Sequence, residues 1–277
     1  MLTMFIVGFV FILGLIVGSF INMALARYNT GLSFNKRSFC FSCGHMLSWY
    51  DLIPLVSFIM QSRKCRYCQS KISFQYPVVE LITGVLFVFI FFKLDPSFSV
   101  YYLLLTTYYL LIFSILLSIA VYDIRHKIIP NAFVYSFIIL SFLGLIFEIL
   151  NLKSEILNLL AGPLLALPFA ALWLFSKGKW MGLGDGKLTL GIGWLLGLSS
   201  GAAALILAIW MGAFYGILIL AISNMERIKR HLFPHTKTFT MKSEIPFAPF
   251  LILGTLFAFL YDISFADIQS LFSKLLS

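Results

Sequence analysis

Residues 2–26 read LTMFIVGFVFILGLIVGSFINMALA, and no charged side chain interrupts them. A transmembrane helix needs about 20 predominantly apolar residues, so this run is long enough to cross a bilayer. The whole chain has the same character, because 61% of its 277 residues are hydrophobic and only 11% are charged. A soluble domain carries about 25% charged residues. The composition therefore predicts a membrane protein and excludes soluble globular, disordered, collagen-like and nucleic-acid-binding proteins.

Further apolar runs predict an all-α polytopic membrane protein with about eight transmembrane helices. The runs cover 77–92, 101–122, 131–150, 156–176, 188–198, 202–223 and 245–261. Lipid admits only helices and closed barrels, and these unbroken runs differ from the short alternating strands of a barrel. The run 188–198 is short and glycine-rich, so we interpret it as half of a tight hairpin that breaks at Ser199, Ser200 and Gly201.

The distribution of Lys and Arg predicts which helix ends face the cytoplasm. All but Lys93, Lys153 and Lys274 fall in the four segments 27–76, 123–130, 177–187 and 224–244. Because cytoplasmic loops carry the excess of Lys and Arg, we expect these segments inside and the N-terminus outside. The net charge of +9 then reflects topology, with generic attraction to anionic lipids beside it.

The same pattern divides the chain into four parts. They are a first transmembrane helix (1–26), a cytoplasmic loop (27–76), a block of transmembrane helices (77–262) and a tail (263–277). No Lys or Arg precedes the first run and Arg27 follows it, which is typical of a retained anchor rather than a cleaved signal. In the tail, an apolar helix face predicts an amphipathic helix on the outer membrane surface; its members are Ile268, Leu271, Phe272, Leu275 and Leu276.

All four cysteines lie in the cytoplasmic loop, as Cys40-x2-Cys43 and Cys65-x2-Cys68. Two such pairs supply the four thiolates of a closed structural zinc site, which folds a loop but leaves no open position for catalysis. The alternative is two disulfides or unrelated thiols, and a cytoplasmic location disfavours disulfides. His45 then has no vacancy at the metal. The stretch 49–54 of the same loop, WYDLIP, packs over the metal or faces a substrate.

Among the few acidic residues, Glu80, Asp123 and Asp185 are the candidates for chemistry, because ionisable groups at membrane helices are costly and usually functional. The predicted topology places Asp123 and Asp185 at the same membrane face, and glycines surround Asp185. Two adjacent aspartates share a proton, so the pair can activate water and protonate a leaving amide nitrogen. The alternative for each is a helix cap or an ion pair with Arg125 or Lys187.

These features occur together in motifs that resemble those of the prepilin peptidases, or type IV leader peptidases, which are intramembrane aspartyl proteases of the Gly-x-Gly-Asp type. The motifs run in order from about residue 14 to about residue 254. They are GSFIN at 18–22, the paired Cys-x2-Cys loop with DLIP at 51–54, YPVVEL at 76–81, Asp123 with IPN at 129–131, GLGDGKL at 182–188 and IPFAPF at 245–250.

The resemblance implies a bifunctional enzyme of the inner (cytoplasmic) membrane. It removes the basic leader of prepilins or pseudopilins at the cytoplasmic face and methylates the new N-terminal amine with S-adenosylmethionine. Asp123 and Asp185 would be the catalytic pair, and the cysteine loop belongs to the part associated with methylation. We expect Glu80 to hold the positive amine; an ion pair with Lys71 or Arg66 is the equal alternative. Asn22 is a packing contact or a ligand.

The segment 224–244, with His231 and His235, is longer than the family pattern, and we interpret it as a solvated linker. Two other classes of function compete with the protease. One is a proton- or cation-coupled transporter that uses both aspartates, although the chain has no internal repeat. The other is a zinc-ribbon scaffold, which leaves Gly-x-Gly-Asp unexplained. The oligomeric state stays open, because Gly-x3-Gly pairs pack helices within one chain or between chains.

Overall fold

The computed structural model describes residues 2–33, 37–94, 99–151, 155–179, 181–229 and 245–276. Nine α-helices lie in these ranges: α1 Leu2–Arg27, α2 Val56–Met60, α3 Gln75–Lys93, α4 Val100–His126, α5 Asn131–Leu150, α6 Ala161–Ser176, α7 Leu183–Lys229, α8 Ala248–Tyr261 and α9 Phe265–Leu276. Two short 3-10 helices, Trp49–Leu52 and Ile156–Leu160, accompany them. The described part of the chain contains no β-strand, only two isolated bridges. The all-α prediction is confirmed.

Six helices are long and apolar enough to cross a membrane, and a seventh span results if the bent pair α8 and α9 counts as one. The chain is therefore a multi-pass membrane protein, but the predicted number of eight is not confirmed. The two sequence runs 188–198 and 202–223 lie within the single element α7.

The chain reverses direction inside α7, at Gly197. This residue has a φ of 76° and a ψ of 179°, which interrupts the helix. A Cβ on Gly201 would lie 3.6 Å from the Cα of Gly193, whereas residues eight apart in a straight helix are separated by about 12 Å. The break predicted at Ser199–Gly201 is therefore wrong in position. The positive φ explains the difference, because glycine adopts it without the steric cost that a serine would meet.

The chain forms two compact units, Met1–Ser118 and Ile119–Ser277, and the boundary falls within α4. In the first unit, α1 packs on α3 through small residues. A Cβ added to Gly14 would lie 2.7 Å from the Cα of Gly84, and one added to Gly18 would lie 2.7 Å from the Cα of Glu80. Close backbone approach at glycines is a common way for membrane helices to associate.

In the second unit, α7 packs against α5, α6 and α8. A Cβ on Gly193 would lie 2.6 Å from the Cα of Gly162 in α6, and one on Gly254 in α8 would collide with the carbonyl oxygen of Ala204. The Gly-x3-Gly residues Gly14, Gly18 and Gly193 thus pack helices within one chain.

The tail forms α9, which turns by 92° from α8. Ile268 is buried, and the ring of Phe272 contacts Trp210 of α7 at a centroid distance of 5.3 Å. The predicted amphipathic helix is therefore present, and part of its apolar face packs on the protein. Its position on the outer membrane surface stays a prediction.

Candidate active site

Asp123 lies in the last turn of α4, and its side chain is 4% exposed. The carbonyl end of a helix is its negative end, so a carboxylate there needs compensation. The backbone N–H of Ala248 supplies it by donating to Asp123 Oδ2 at 3.3 Å. Ala248 is the first residue of α8, and its N–H has no partner within that helix. The start of α8 therefore positions Asp123.

Asp185 lies in the first turn of α7 and is 8% exposed. Its Oδ1 atom is buried and has no hydrogen-bond partner in the described part of the chain. The charge of Asp123 acts on Asp185, so the two carboxyl groups are within electrostatic range of each other. An unpaired buried polar atom is uncommon and is often found at a functional site.

Neither aspartate forms an ion pair with a neighbouring cation among the described residues, contrary to the alternative considered from the sequence. Lys187 instead donates from Nζ to Asn131 Oδ1 at 3.0 Å, and its ammonium group lies 4.8 Å from the ring centroid of Tyr135. Lys187 therefore joins α7 to α5 and leaves Asp185 free of a counter-ion.

The backbone around Asp185 approaches its neighbours closely on one side. A Cβ on Gly184 would lie 2.9 Å from the Cβ of Ile129, which is closer than real Cβ atoms come. On the other side, a Cβ on Gly186 would lie 3.6 Å from Phe169, an ordinary contact. Gly184 is thus required for packing. It allows the backbone next to Asp185 to contact Ile129, which lies in the segment that follows Asp123.

The four cysteines converge in the first unit. Their Sγ atoms all lie within 4.8 Å of one another, and the Sγ atoms of Cys40 and Cys68 are 3.8 Å apart. Tetrahedral zinc with Zn–S bonds of about 2.3 Å places its sulfurs about 3.8 Å apart. The donor set and its spacing therefore fit a four-thiolate metal ion. None of the four forms a disulfide.

The two halves of the cysteine cluster repeat the same backbone turn. The N–H of Cys40 donates to the carbonyl of His45, and Gly44 donates to the carbonyl of Cys40. The second half has the same pattern, from Cys65 to the carbonyl of Ser70 and from Gln69 to the carbonyl of Cys65. Each turn contains one residue of positive φ, Gly44 or Gln69. This duplicated turn aims both thiols of each pair at one point.

The thiols influence each other's ionisation. Burial opposes ionisation of Cys40, but hydrogen bonds with the backbone of Cys43 and Ser42 lower the pKa of its thiol to about 6. At Cys43 a hydrogen bond with the backbone of His45 lowers the pKa of the thiol. Desolvation and the neighbouring thiols of Cys40 and Cys68 outweigh this effect and raise the pKa to about 11. Four thiolates at this separation repel one another, so a bound cation is needed for all of them to ionise.

Asp51 is buried and organises the cysteine loop, a role that the sequence analysis missed. Its carboxylate accepts hydrogen bonds from the Ser48 N–H at 3.2 Å, Gln61 Nε2 at 3.1 Å and the Tyr67 hydroxyl at 3.3 Å. Arg66 Nε lies 3.3 Å from its Oδ1. The sequence did contain a signal for this role. The acid Asp51 lies within WYDLIP, and two residues able to bind a carboxylate, Arg66 and Tyr67, follow Cys65. This stretch therefore packs partly inside the loop.

Glu80 is also buried, and Arg66 does not pair with it. Its Oε2 accepts the N–H of Leu55 at 2.9 Å, and a hydrogen bond joins its carboxylate to Ser19. Asn22 donates from Nδ2 to the carbonyl of Tyr76 at 3.0 Å, so it is a packing contact between α1 and the start of α3. His45 stacks on Tyr67 at a ring-centroid distance of 3.6 Å and lies outside the thiol group.

His231 and His235 lie outside the described residues, as does most of the segment 224–244.

Two protein families match the chain. The Bacterial Peptidase A24 N-terminal domain matches residues 12–94, and the Type IV leader peptidase family matches residues 110–217. The first range contains the four cysteines and Glu80, and the second contains both aspartates.

Curated relatives match over most of the chain. A prepilin leader peptidase/N-methyltransferase of Bacillus subtilis (strain 168) is 32% identical over 91% of this chain and 92% of its own length. The enzymes of the same name from Myxococcus xanthus and Aeromonas hydrophila are 34% and 28% identical, over 76% and 91% of this chain and 62% and 89% of their own lengths. No solved structure matches.

The contrast between Gly184 and Gly186 gives a matched test of the packing beside Asp185. We expect Gly184→Ala to lower stability by about 1–3 kcal/mol, because its methyl group has no space against Ile129. Gly186→Ala should be neutral or slightly stabilising, because its methyl group makes an ordinary contact and alanine favours a helix. Thermal unfolding of both purified variants in detergent measures the difference. Equal melting temperatures would contradict the packing role of Gly184.

Proposed function

This chain belongs to the type IV leader peptidase family, and from that premise we propose that it is a membrane aspartic endopeptidase with N-methyltransferase activity. It removes the basic leader of a type IV prepilin or pseudopilin and methylates the N-terminus that cleavage exposes. The observation that carries the protease assignment is the pair Asp123 and Asp185. Both side chains are buried, interact electrostatically and have no cationic partner among the described residues.

The different surroundings of the two aspartates support different roles. Asp123 accepts an N–H at the positive end of α8, which favours its ionised form. Asp185 has a buried oxygen with no donor among the residues that the structure describes, which suits a protonated carboxyl group. We therefore assign the general base to Asp123 and the proton to Asp185.

The reaction follows from these roles. Water attacks the carbonyl carbon of the scissile bond, giving one proton to Asp123, while the proton of Asp185 passes to the carbonyl oxygen. When the tetrahedral intermediate collapses, the C–N bond breaks. Asp123 then protonates the leaving nitrogen, and the hydroxyl proton returns to Asp185. The pair ends in its starting state.

The arrangement in the membrane suits a substrate with a basic leader followed by an apolar helix. We place the protein in the inner membrane with its N-terminus outside and the four basic segments in the cytoplasm. Asp123 and Asp185 lie at helix ends rather than in the middle of a span. Both aspartates then lie where lipid meets cytoplasmic water, and the scissile bond joins a polar leader to an apolar helix.

We propose that Cys40, Cys43, Cys65 and Cys68 bind one structural zinc ion. Their convergence, the 3.8 Å separation of two sulfurs and the duplicated turn support it. The ion would neutralise the thiolates and fix the loop 27–76, whose described residues bury few apolar side chains.

For methylation we propose Glu80 as the group that holds the positive N-terminal amine. Its buried carboxylate has no cationic partner among the described residues, so a cation is its natural complement. S-adenosylmethionine supplies the methyl group when it is bound. Glu80 would orient the amine and accept the proton that the amine must lose before it attacks.

Replacing either aspartate should abolish cleavage. Asp123→Asn or Asp185→Asn removes a proton donor or acceptor, so we expect at least about a 10³-fold loss of cleavage rate with normal insertion. Mass spectrometry of a prepilin-like peptide measures loss of the leader and gain of the methyl group. Glu155→Gln, an exposed acid outside the site, is the matched control. Full cleavage by either aspartate variant would refute the assignment and favour a transporter or a scaffold.

Serine at Cys40 or Cys68 should remove the zinc. We expect elemental analysis to find one zinc per wild-type chain and far less in Cys40→Ser or Cys68→Ser. The matched control is His45→Ala, which should keep the metal because His45 stacks on Tyr67 instead of joining the thiols. Unchanged zinc content in the cysteine variants contradicts the metal site.

Glu80→Gln should separate the two activities. Glutamine still accepts the N–H of Leu55 but carries no charge, so we expect leader removal to persist while methylation falls by at least about tenfold. Ser19→Ala removes only one hydrogen bond to the carboxylate and should methylate normally. A Glu80→Gln enzyme with undiminished methylation at saturating methyl donor excludes this role.

A further inference from the structure

We propose that residues 49–60 of the cysteine loop form an interfacial segment that docks on the anionic lipid surface of the membrane from which the loop emerges. This segment consists of the 3-10 helix Trp49–Leu52, a turn and α2. The loop would then be held in two ways, by the metal ion at its cysteines and by the contact of residues 49–60 with the bilayer.

Several large apolar side chains of this segment are exposed. Trp49, Ile59 and Met60 are each about three-quarters exposed, and Leu52, Ile53 and Val56 are also exposed. Phe5, a residue of the membrane helix α1, has a similar exposed fraction. A solvated loop does not ordinarily present several such side chains together, so the segment requires an apolar surface to cover it.

A hydrogen bond to Glu80 holds the segment beside the ends of membrane helices. Glu80 accepts the N–H of Leu55, and Glu80 lies five residues inside α3, or about 7.5 Å along its axis from Gln75. The same carboxylate contacts Ser19 of α1, well before that helix ends at Arg27. The backbone of Leu55 therefore lies beside the ends of two membrane helices rather than beyond them. At this level the nearest apolar surface outside the protein is the lipid interface.

The surface next to the segment carries several basic side chains. Arg63, Lys64, Arg66 and Lys71 follow the segment and are all exposed. Two of them sit on aromatic rings next to the apolar residues. The Arg63 guanidinium lies 3.5 Å from the Phe74 ring centroid, and that of Arg66 lies 4.8 Å from Tyr50, which contacts Trp49. Apolar side chains with flanking Lys and Arg are the composition that binds an anionic bilayer.

Charge also argues against the alternative occupant, the substrate leader. That argument rests on the proposed function, in which the leader is basic. Arg66 is paired with Asp51, but Arg63, Lys64 and Lys71 have no carboxylate partner among the described residues, so they would repel such a leader and attract anionic headgroups. The surface therefore suits lipid better than substrate.

The test places the full-length protein in nanodiscs, without substrate, and measures quenching of tryptophan fluorescence by lipids brominated near the headgroup or deep in the chain. The chain has five tryptophans, so the difference between wild type and Trp49→Phe isolates Trp49. In nanodiscs containing phosphatidylglycerol we expect Trp49 to be quenched more by the shallow label. Quenching should fall in pure phosphatidylcholine and at high salt.

Removing cations gives the matched comparison. Each Lys near an anionic surface strengthens binding about fivefold. The double variant Lys64→Gln, Lys71→Gln should therefore lower the ratio of docked to undocked loop roughly 30-fold and reduce the quenching of Trp49. Lys179→Gln, which removes an exposed cation from another loop, should leave it unchanged.

Three results would overturn the proposal. Absence of Trp49 quenching in both lipids excludes docking on the bilayer. Quenching that is equal in both lipids and insensitive to the lysine changes excludes recognition of anionic lipid. A change in Trp49 emission that occurs only when a prepilin-like peptide is added identifies the surface as a substrate site. Because no cleavage is measured, these results are independent of whether the proposed function is correct.

Discussion

A backbone inside hydrocarbon has no water to accept its hydrogen bonds, so each spanning segment of this chain is a helix that satisfies its own amide groups. The ends of those helices are the places where backbone donors remain available and where ionisable side chains reach water. The candidate catalytic residues lie there: Asp123 is in the last turn of α4 and Asp185 in the first turn of α7, and Ala248, which donates to Asp123, is at the first position of α8. The membrane therefore determines both the fold and the location of the site.

Close packing at glycines brings those helix ends together. Gly184 lets the backbone beside Asp185 touch Ile129, and Lys187 bonds to Asn131 two residues further on. The reversal at Gly197 then returns α7 so that its second half contacts α8 at Gly254 and Ala204. As α8 also donates the Ala248 N–H to Asp123, the reversal contributes to the position of one carboxylate as well as to packing.

The cysteine loop is ordered in a different way, because its described residues bury few apolar side chains. Its order comes from polar contacts: the four thiols converge at one point, Asp51 joins Ser48, Gln61, Arg66 and Tyr67, and Glu80 holds the backbone of Leu55. These contacts involve the polar atoms of the loop, whereas the side chains of Trp49, Ile59 and Met60 remain exposed on its surface. The loop is therefore held by polar contacts while its large apolar side chains face outward.

The sequence by itself determined the all-α membrane class and most of the spans, because hydropathy is a local signal. It also singled out the four cysteines by their spacing and the two aspartates by the rarity of acids beside apolar runs. It misplaced the break in α7 at Ser199–Gly201, and it missed the organising role of Asp51 and the donation from Ala248 to Asp123. The site of the reversal depends on which glycine takes a positive φ, and the partners of Asp51 and Asp123 come from distant parts of the chain. Only the tertiary structure decides these features, since a hydrogen bond between Asp123 and a residue 125 positions away exists only after the helices have packed.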